Sequence, residues 1–338
     1  MINRVARKRF WTPDRFYVTE RVAFQNPHKI SNVSKIPSSA DGLFLFRVDA
    51  DLYSKRGNEA FLNTARYYGI TTTWFVNAEE YEKYPTALSS LVDDQLVDVQ
   101  SHTYQHKIIY NRIDNLDNLR KAEEFLSKFT ERKIKGVAAP YGFWNPSYQM
   151  AIDELDFAYS SEFTLAYDVA PFYPMIDNRR SSVLQIPIHP VCAGSFLSSK
   201  LPLTCACNYF EHYIIKRYLL KLPIILYGHP NDPDIEYNKK LLEHIFKIVT
   251  SLKNVKNMSF TDYYLWLIEN TEHIDDRQVE HSVSPIEICQ EKEDYYSIRQ
   301  RIRYSLNCLI AEFKHSCIDK GLIKFIKFLV ILKNLAKK

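Results

Sequence analysis

Apolar runs alternate with stretches of helical periodicity through the middle of the chain. The predicted strands are LFLFRVDAD (43–51), TTTWFVNA (71–78), VDVQSHT (97–103), KGVAAPYG (135–142), FAYSSEF (157–163), LQIPIHP (184–190) and LPIILYGHP (222–230). The predicted helices between the first five strands cover 58–69, 85–95, 115–131 and 145–155. Strands that alternate with helices of about twelve residues are typical of parallel βαβ units.

This alternation predicts the fold class and the domain boundaries. Seven strands between 43 and 229 favour an α/β protein with a distorted (β/α) barrel of about seven parallel strands. An open doubly wound sheet is the alternative, but no G-x-G-x-x-G or P-loop follows any strand. We expect a leader at 1–40, the barrel at 41–272, and a linker with a basic helical tail at 273–338.

Composition and charge narrow the class of partner. The chain has 338 residues, 46% of them apolar and 25% charged, which excludes wholesale disorder. The net charge of +4 comes from two basic ends, because residues 1–15 carry +4 and residues 320–338 carry +6, so the body between them is acidic. We therefore expect no nucleic-acid partner.

Targeting signals and cysteine usage favour a cytoplasmic protein. The basic N-terminus lacks the apolar run of a secretory signal, and no stretch has the roughly eighteen apolar residues that a spanning helix needs. The six cysteines are scattered, which favours reduced thiols. Residues 320–338 combine a lysine stripe with apolar faces, so this tail either docks on the barrel or lies on the anionic inner face of the plasma membrane.

Three charged side chains alternate along the first predicted strand. Strand geometry places Arg47, Asp49 and Asp51 on one face. Burying two carboxylates and a guanidinium requires mutual pairing, a metal or a wet cleft. A structural ion pair at a strand end is the simpler interpretation of these residues alone.

Two histidines follow the third predicted strand. His102 and His106 are spaced i and i+4, so on a helical turn both imidazoles reach one ion. Together with one carboxylate they form a three-ligand site with open positions, which suits a catalytic divalent ion, while the second carboxylate can take a proton from water. Two histidines and a carboxylate also suit Fe(II), so a non-haem iron oxygenase is an alternative of another class.

The motifs and their order resemble the NodB-like polysaccharide deacetylases, the carbohydrate esterase family four type, in a variant with R-[VI]-D-x-D. The resemblance covers about residues 43–270 and includes Pro140-Tyr141-Gly142 and a late apolar strand that ends in histidine. It implies a distorted (β/α) barrel and a metal-dependent hydrolase that cleaves linear amides or esters on sugars.

The resemblance also assigns roles to residues at matching positions. Asp49 corresponds to the catalytic base, and Asp51, His102 and His106 correspond to the metal ligands. The implied cofactor is a divalent ion, with Zn²⁺ as the first choice and Ni²⁺, Co²⁺ or Mn²⁺ as alternatives.

Two further positions complete the implied mechanism. Tyr141 falls where the family uses a backbone N–H to stabilise the oxyanion. His229 corresponds to the general acid that protonates the leaving amine, and His189, which ends a similar run, is the alternative.

One position departs from the family pattern. The arginine that usually pairs with the catalytic base is replaced by Ala138, and we hypothesise that Arg47 takes its place, since alternation puts it beside Asp49. The other interpretation is a degenerate, inactive homologue. The intact D-x-D motif and both histidines argue against that interpretation.

Other polar and aromatic residues have two interpretations each. Trp144 stacks on a sugar or belongs to the core, and Asn77 faces a cleft or ends a strand. Glu162 and Asp168 are candidates to orient the general-acid histidine.

The resulting hypothesis is removal of an N-acyl group, acetyl first, from a sugar in bacterial-type surface polysaccharide or lipopolysaccharide assembly. The partner is then an acylated sugar or a lipid-linked glycan. Deformylation of a lipid-linked amino sugar is the alternative within the class. A catalytically inactive glycan-binding or membrane-scaffold protein is the alternative outside it.

Overall fold

The computed structural model describes residues 36–131, 133–162, 170–189, 191–198, 202–230 and 235–278. Most of the expected leader, Asp168 and the tail at 320–338 lie outside the described residues. The strands are β1 (Gly42–Ala50), β2 (Thr72–Val76), β3 (Val97–Ser101), β4 (Gly136–Val137), β5 (Tyr159–Ser160), β6 (Tyr173–Ile176), β7 (Arg179–Arg180), β8 (Leu184–Gln185), β9 (Ile224–Gly228), β10 (Val255–Asn257) and β11 (Asp276–Gln278). The helices are α1 (Lys55–Tyr68), α2 (Ala78–Tyr81), α3 (Pro85–Val92), α4 (Arg112–Thr130), α5 (Pro146–Glu154), α6 (Ala193–Ser198), α7 (Leu203–Leu219), α8 (Ile235–Ser251) and α9 (Phe260–Asn270).

The main sheet is a distorted (β/α) barrel of parallel strands, as the alternating pattern predicts. Its order is β10-β1-β2-β3-β4-β5-β8, and β9 pairs with the other edge of β1. Between β8 and β9 the backbone N–H of His189 donates to the Ile225 carbonyl oxygen at 3.0 Å, which joins the two ends of the sheet. The barrel class is therefore confirmed.

Strand β1 lies at the centre of the sheet and is covered on both faces. All nine of its residues are buried, as expected for a parallel strand covered on two sides. The following helix α1 begins where Ser54 Oγ accepts the Gly57 N–H at 3.1 Å. It ends at Gly69, whose φ of 64° is left-handed and favours glycine.

The strand register determines which residues meet at the carboxyl edge of the barrel. Parallel pairing aligns the ends of neighbouring strands, so the residues that leave them lie side by side. The aligned partners along the edge are Ala50 with Val76, Val76 with Ser101, Ser101 with Val137, Val137 with Ser160, and Val48 with Gly228. Four of these strands, β1, β2, β3 and β9, are followed directly by the candidate residues Asp51, Asn77, His102 and His229.

A second, small sheet was not predicted. Strand β6 pairs antiparallel with β7 and parallel with β11. The two-residue turn at Asp177 and Asn178, with φ of 49° and 62°, has the left-handed geometry of a tight hairpin. Because β11 belongs to this sheet, residues 276–278 are paired structure within the segment that the sequence assigned to a linker.

No helix among the described residues is both long enough and apolar enough to cross a membrane.

Candidate metal centre and hydrolytic site

Asp51, His102 and His106 meet at the carboxyl edge of the barrel. The Asp51 Oδ1 atom lies 3.1 Å from His102 Nε2 and 3.2 Å from His106 Nε2. One ligand atom from each residue falls within 4.8 Å of the others, an arrangement that could hold a metal ion. The three residues that the sequence predicts as metal ligands therefore lie together at this edge.

The two histidines reach this position through a loop rather than a helical turn. Residues 102–106 are not helical, and Thr103 has a left-handed φ of 63°, so the expected i and i+4 helical geometry is wrong. The loop is fixed from two sides, because Asn118 Oδ1 accepts the Gln105 N–H at 2.7 Å and Asn77 Nδ2 donates to the Tyr104 carbonyl at 3.0 Å.

The donor set fits a cation. His102 Nδ1 lies 2.9 Å from the Ala138 carbonyl oxygen, so Nδ1 carries the proton and the Nε2 lone pair faces Asp51. Asp51 Oδ1 is buried and has no hydrogen-bond donor among the described residues. Facing lone pairs repel each other unless a positive charge lies between them. A divalent ion held by this carboxylate and two imidazoles would satisfy all three atoms.

Asp51 lies in an electrostatic environment that keeps its carboxylate ionised. Burial raises the pKa of Asp51, but the positive charge around it, first that of His229, lowers it more, and the net pKa lies well below the ordinary value. An ionised carboxylate is the form that binds a metal.

Arg47 and Asp49 form a buried pair directly beside this cluster. The Arg47 guanidinium donates through Nε to Asp49 Oδ1 and through Nη2 to Asp49 Oδ2, the latter at 2.8 Å. Arg47 Nη1 also donates to the Ser161 carbonyl oxygen. Burial lowers the pKa of Arg47, but the charge and hydrogen bonds of Asp49 raise it more, so the guanidinium stays charged. The position of Arg47 supports its hypothesised place as the partner of Asp49.

His229 faces both aspartates. Its Nε2 atom lies 3.9 Å from Asp49 Oδ2 and 3.8 Å from Asp51 Oδ2, and its side chain is 20% exposed. On the other side of the ring, Nδ1 lies 3.9 Å from the Cys192 Sγ atom. The His229 carbonyl accepts a hydrogen bond from Asn238 Nδ2 at 2.7 Å, which fixes the backbone after β9.

His189, the alternative general acid, lies elsewhere in the core. It is fully buried, its Nε2 atom lies 2.7 Å from the Tyr209 hydroxyl, and its ring centroid lies 4.0 Å from that of Tyr213. Burial and then the charge of Arg217 lower the pKa of His189 to about 3. A buried histidine that stays neutral is poorly suited to donate a proton, so the geometry favours His229.

Tyr141 lies in a short turn that borders the cluster. Its ring centroid is 4.7 Å from that of His106, and its φ of 62° is left-handed, which is uncommon for a residue other than glycine. Phe143, two residues later, is 5.7 Å from the exposed ring of Tyr110. Aromatic side chains therefore line the rim on this side of the site.

The structure decides between the two interpretations of three residues. Trp144 is fully buried and donates through Nε1 to Gln149 Oε1 at 2.7 Å, so it belongs to the core. Asn77 caps α2 by accepting the Glu80 N–H at 3.0 Å. Glu162 contacts the backbone at Ala139 rather than His229.

Several neighbours of the site were not found from the sequence. Cys192 carries no motif, and its contact with His229 joins residues 37 positions apart in the chain. Ser161 contacts Arg47 through its main chain, which no side-chain pattern can reveal. Its position as a polar residue directly after an apolar strand is the one signal that could have marked Ser161.

Comparison with known proteins agrees with the motifs. Residues 49–160 match the family model described as polysaccharide deacetylase. This match confirms the resemblance of that segment to the NodB-like polysaccharide deacetylases, a family of carbohydrate-deacetylase-like hydrolases. No curated protein matches the sequence significantly.

Solved structures share the fold at low sequence identity. A candidate polysaccharide deacetylase from Mycobacterium smegmatis is 13% identical with a TM-score of 0.62, covering 72% of this chain and 96% of its own. One from Pseudomonas aeruginosa PAO1 is 14% identical with a TM-score of 0.60, covering 71% and 96%. The PuuE allantoinase is 14% identical with a TM-score of 0.59, covering 72% and 96%. Since an allantoinase shares the fold, the fold does not select the substrate.

Proposed function

We propose that this protein is a metal-dependent hydrolase that removes an N-acyl group, acetyl first, from a sugar in bacterial-type surface polysaccharide or lipopolysaccharide assembly. One observation carries the proposal: the buried Asp51 Oδ1 faces two imidazole nitrogens, while Asp49 and His229 stand within 3.9 Å of each other beside it. A carboxylate base and a histidine acid next to a cation site are the components of amide hydrolysis.

Asp51, His102 and His106 would hold the metal, for which Zn²⁺ is the first choice and Ni²⁺, Co²⁺ or Mn²⁺ are alternatives. When bound, such an ion supplies Lewis acidity that polarises an amide carbonyl and favours ionisation of water. The carboxylate of Asp51, the bare Nε2 atom of His102 and the imidazole of His106 are the chemistry that suits these ions.

The other residues move protons and hold the reacting groups. Asp49 accepts the proton of the water that attacks the acyl carbon, with its two oxygens oriented by Arg47. His229 Nε2 gives a proton to the sugar nitrogen as the carbon–nitrogen bond breaks, which releases a carboxylic acid and a free amine. The backbone N–H of Tyr141 stabilises the oxyanion in between.

The two aspartates of the motif provide a matched test. Asp51→Ala should abolish metal binding, because it removes the one carboxylate of the cluster. Asp49→Ala should keep the metal and lower turnover by about 10²–10⁴-fold, the usual effect of losing a general base. Metal content measured by mass spectrometry, together with acetate and formate release from a panel of acylated sugars, distinguishes the two variants. Turnover that survives both substitutions would contradict the proposal.

The same panel decides among the alternatives. Formate without acetate indicates a deformylase of an amino sugar, which the R-x-D-x-D pattern favours mildly. Bound metal without any product, together with glycan binding, indicates an inactive homologue. Turnover that requires oxygen indicates an iron oxygenase.

The cellular location is a separate part of the proposal. We propose a cytoplasmic enzyme that its C-terminal tail, residues 320–338, can hold against the inner face of the plasma membrane. The six lysines and the apolar residues of that segment support this proposal, since each lysine near an anionic surface contributes about 1 kcal/mol. Flotation with anionic vesicles should be lost when residues 318–338 are deleted, and unchanged flotation would refute anchoring.

A further inference from the structure

Glu162 is a fully buried carboxylate that the proposed reaction does not use. It lies two residues after the end of β5, and both of its oxygens lie 2.7 Å from the Ser160 hydroxyl. Oε1 also accepts the Tyr148 hydroxyl at 3.1 Å and the backbone N–H of Ala139 at 2.9 Å. A buried carboxylate with this many donors is held in one orientation.

The contact with Ala139 reaches the turn that carries Tyr141. Ala139 precedes the turn Pro140–Gly142, which closes through hydrogen bonds from Gly142 N to Ala139 O at 3.0 Å and from Phe143 N to Pro140 O at 3.2 Å. Tyr141 inside the turn has a left-handed φ of 62°. A non-glycine residue keeps such a conformation only where its surroundings fix it. Glu162 fixes the residue at which the turn begins.

Glu162 also belongs to the same electrostatic group as the proposed base. The charge of Glu162 acts on Arg47, which pairs with Asp49 and binds the main chain of Ser161. Arg47 therefore interacts with two carboxylates. It hydrogen-bonds to Asp49, and it attracts the charge of Glu162, whose neighbour Ser161 accepts a hydrogen bond from it. This arrangement connects the strand that carries the base to the turn that carries Tyr141.

We propose that Glu162 is a positioning residue that holds the Ala139–Gly142 turn, and with it the backbone of Tyr141, at the edge of the metal site. This inference rests on the proposed function, in which the Tyr141 N–H stabilises the oxyanion. Glu162 acts through the backbone of Ala139, and its contacts among the described residues do not include His229.

Gln100 offers a matched control within the same part of the sheet. Its buried Oε1 atom accepts the Gly136 N–H at 2.6 Å and the Lys135 N–H at 3.1 Å, so Gln100 supports the start of β4, whereas Glu162 supports Ala139, two residues after the end of β4. Gln100→Ala removes a comparable side-chain acceptor at the start of β4 rather than at the turn. Glu162→Ala removes the acceptor at the turn, whereas Glu162→Gln keeps an oxygen for the Ala139 N–H.

The first measurement is amide hydrogen exchange on the full chain. We expect peptides that span 139–143 to exchange at least about tenfold faster in Glu162→Ala than in the wild type, while Gln100→Ala accelerates exchange around 135–137 instead. Glu162→Gln should restore protection at 139–143. Equal exchange of residues 139–143 in Glu162→Ala and Gln100→Ala would overturn the inference.

The second measurement separates this inference from the proposed function. On an acylated sugar that the wild type hydrolyses, Glu162→Ala should lower kcat by about 10–100-fold, with KM and metal content within twofold of the wild type, because the loss falls on oxyanion stabilisation. Glu162→Gln should recover kcat to within about threefold, and Gln100→Ala should lower the Tm while sparing kcat. A kcat of Glu162→Ala no lower than that of Gln100→Ala would overturn the inference. A wild type that hydrolyses no acylated sugar would refute the proposed function. The difference in amide hydrogen exchange between Glu162→Ala and Gln100→Ala would still show whether Glu162 holds the turn.

Discussion

Replacing Arg47 with methionine should destabilise the protein far more than breaking an exposed ion pair. Arg47 is 0% exposed and Asp49 is 4% exposed, and the guanidinium binds both carboxylate oxygens. Removing one partner of a buried pair leaves the other charge unpaired and costs about 3–5 kcal/mol. The matched control is Arg66→Met, because Arg66 pairs with Asp94 at 2.7 Å through a side chain that is half exposed, and such pairs contribute about 0–1 kcal/mol.

Urea unfolding followed by tryptophan fluorescence measures these costs. The set consists of Arg47→Met, Asp49→Asn, the double variant and Arg66→Met, all at one fixed metal concentration, because bound metal adds its own stabilisation. The double variant removes both charges, so its cost should fall short of the summed single costs by about 2 kcal/mol or more. Unchanged m-values would show that the unfolded states are comparable.

Two results would refute this reasoning. Either Arg47→Met costs no more than Arg66→Met, or the single costs add to within about 0.5 kcal/mol in the double variant. In both cases the guanidinium does not stabilise the Asp49 carboxylate, and its interpretation as the partner of the base fails. If Arg47→Met does not fold, Arg47→Lys gives the same comparison, since lysine keeps the charge but cannot span Asp49 and the Ser161 carbonyl together.

Two other predictions concern residues outside the proposed chemistry. The pKa of His189 is lowered to about 3, first by burial and then by Arg217, from an ordinary value of 6.5. Below pH 6.5 the unfolded chain therefore binds a proton at His189 that the folded protein does not, so acidification to about pH 5 should lower the free energy of unfolding by about 2 kcal/mol. In urea titrations His189→Gln should remove this loss of stability. An unchanged loss would contradict the prediction. Trp144→Phe should cost about 1–3 kcal/mol, because Gln149 loses a buried donor, and should leave KM for the acylated sugar unchanged. A raised KM without loss of stability would instead favour sugar stacking by Trp144.

The barrel was predictable because its strands are buried on both faces. A parallel strand covered on two sides produces a nearly continuous apolar run, which is how β1, β2 and β9 stand out in the sequence. The site was predictable for a related reason, since parallel strands bring their carboxyl ends to one edge. Asp51 follows β1 and His102 follows β3, which are separated in the sheet only by β2, so the topology brings the two residues to the same part of the edge.

The elements that the sequence does not predict are very short or depend on contacts between residues far apart in the chain. Strand β10 has three residues, Val255–Asn257, and is held by pairing with β1, far away in sequence. The loop that carries His106 depends on the left-handed Thr103 and on Asn118 from α4, neither of which alters the hydrophobic pattern. Local periodicity contains no information about such contacts, so the spacing of His102 and His106 predicts a helical turn that the structure does not contain.

Ala138 stands where the resembled family usually has the arginine that pairs with the catalytic base. We propose that this arginine has moved to position 47, rather than that the catalytic arrangement has been lost. Ala138 is fully buried, and its carbonyl oxygen still orients His102, so this stretch of backbone keeps a contact with the metal cluster. The guanidinium that pairs with Asp49 comes from Arg47, two residues earlier on the same strand. An arginine at 138 would bring a second guanidinium into a buried region that already holds one, and like charges at close range repel each other strongly there. We therefore propose that arginine at 47 and arginine at 138 are alternative solutions to one electrostatic requirement, and that the Arg47 solution favours an uncharged residue such as alanine at 138.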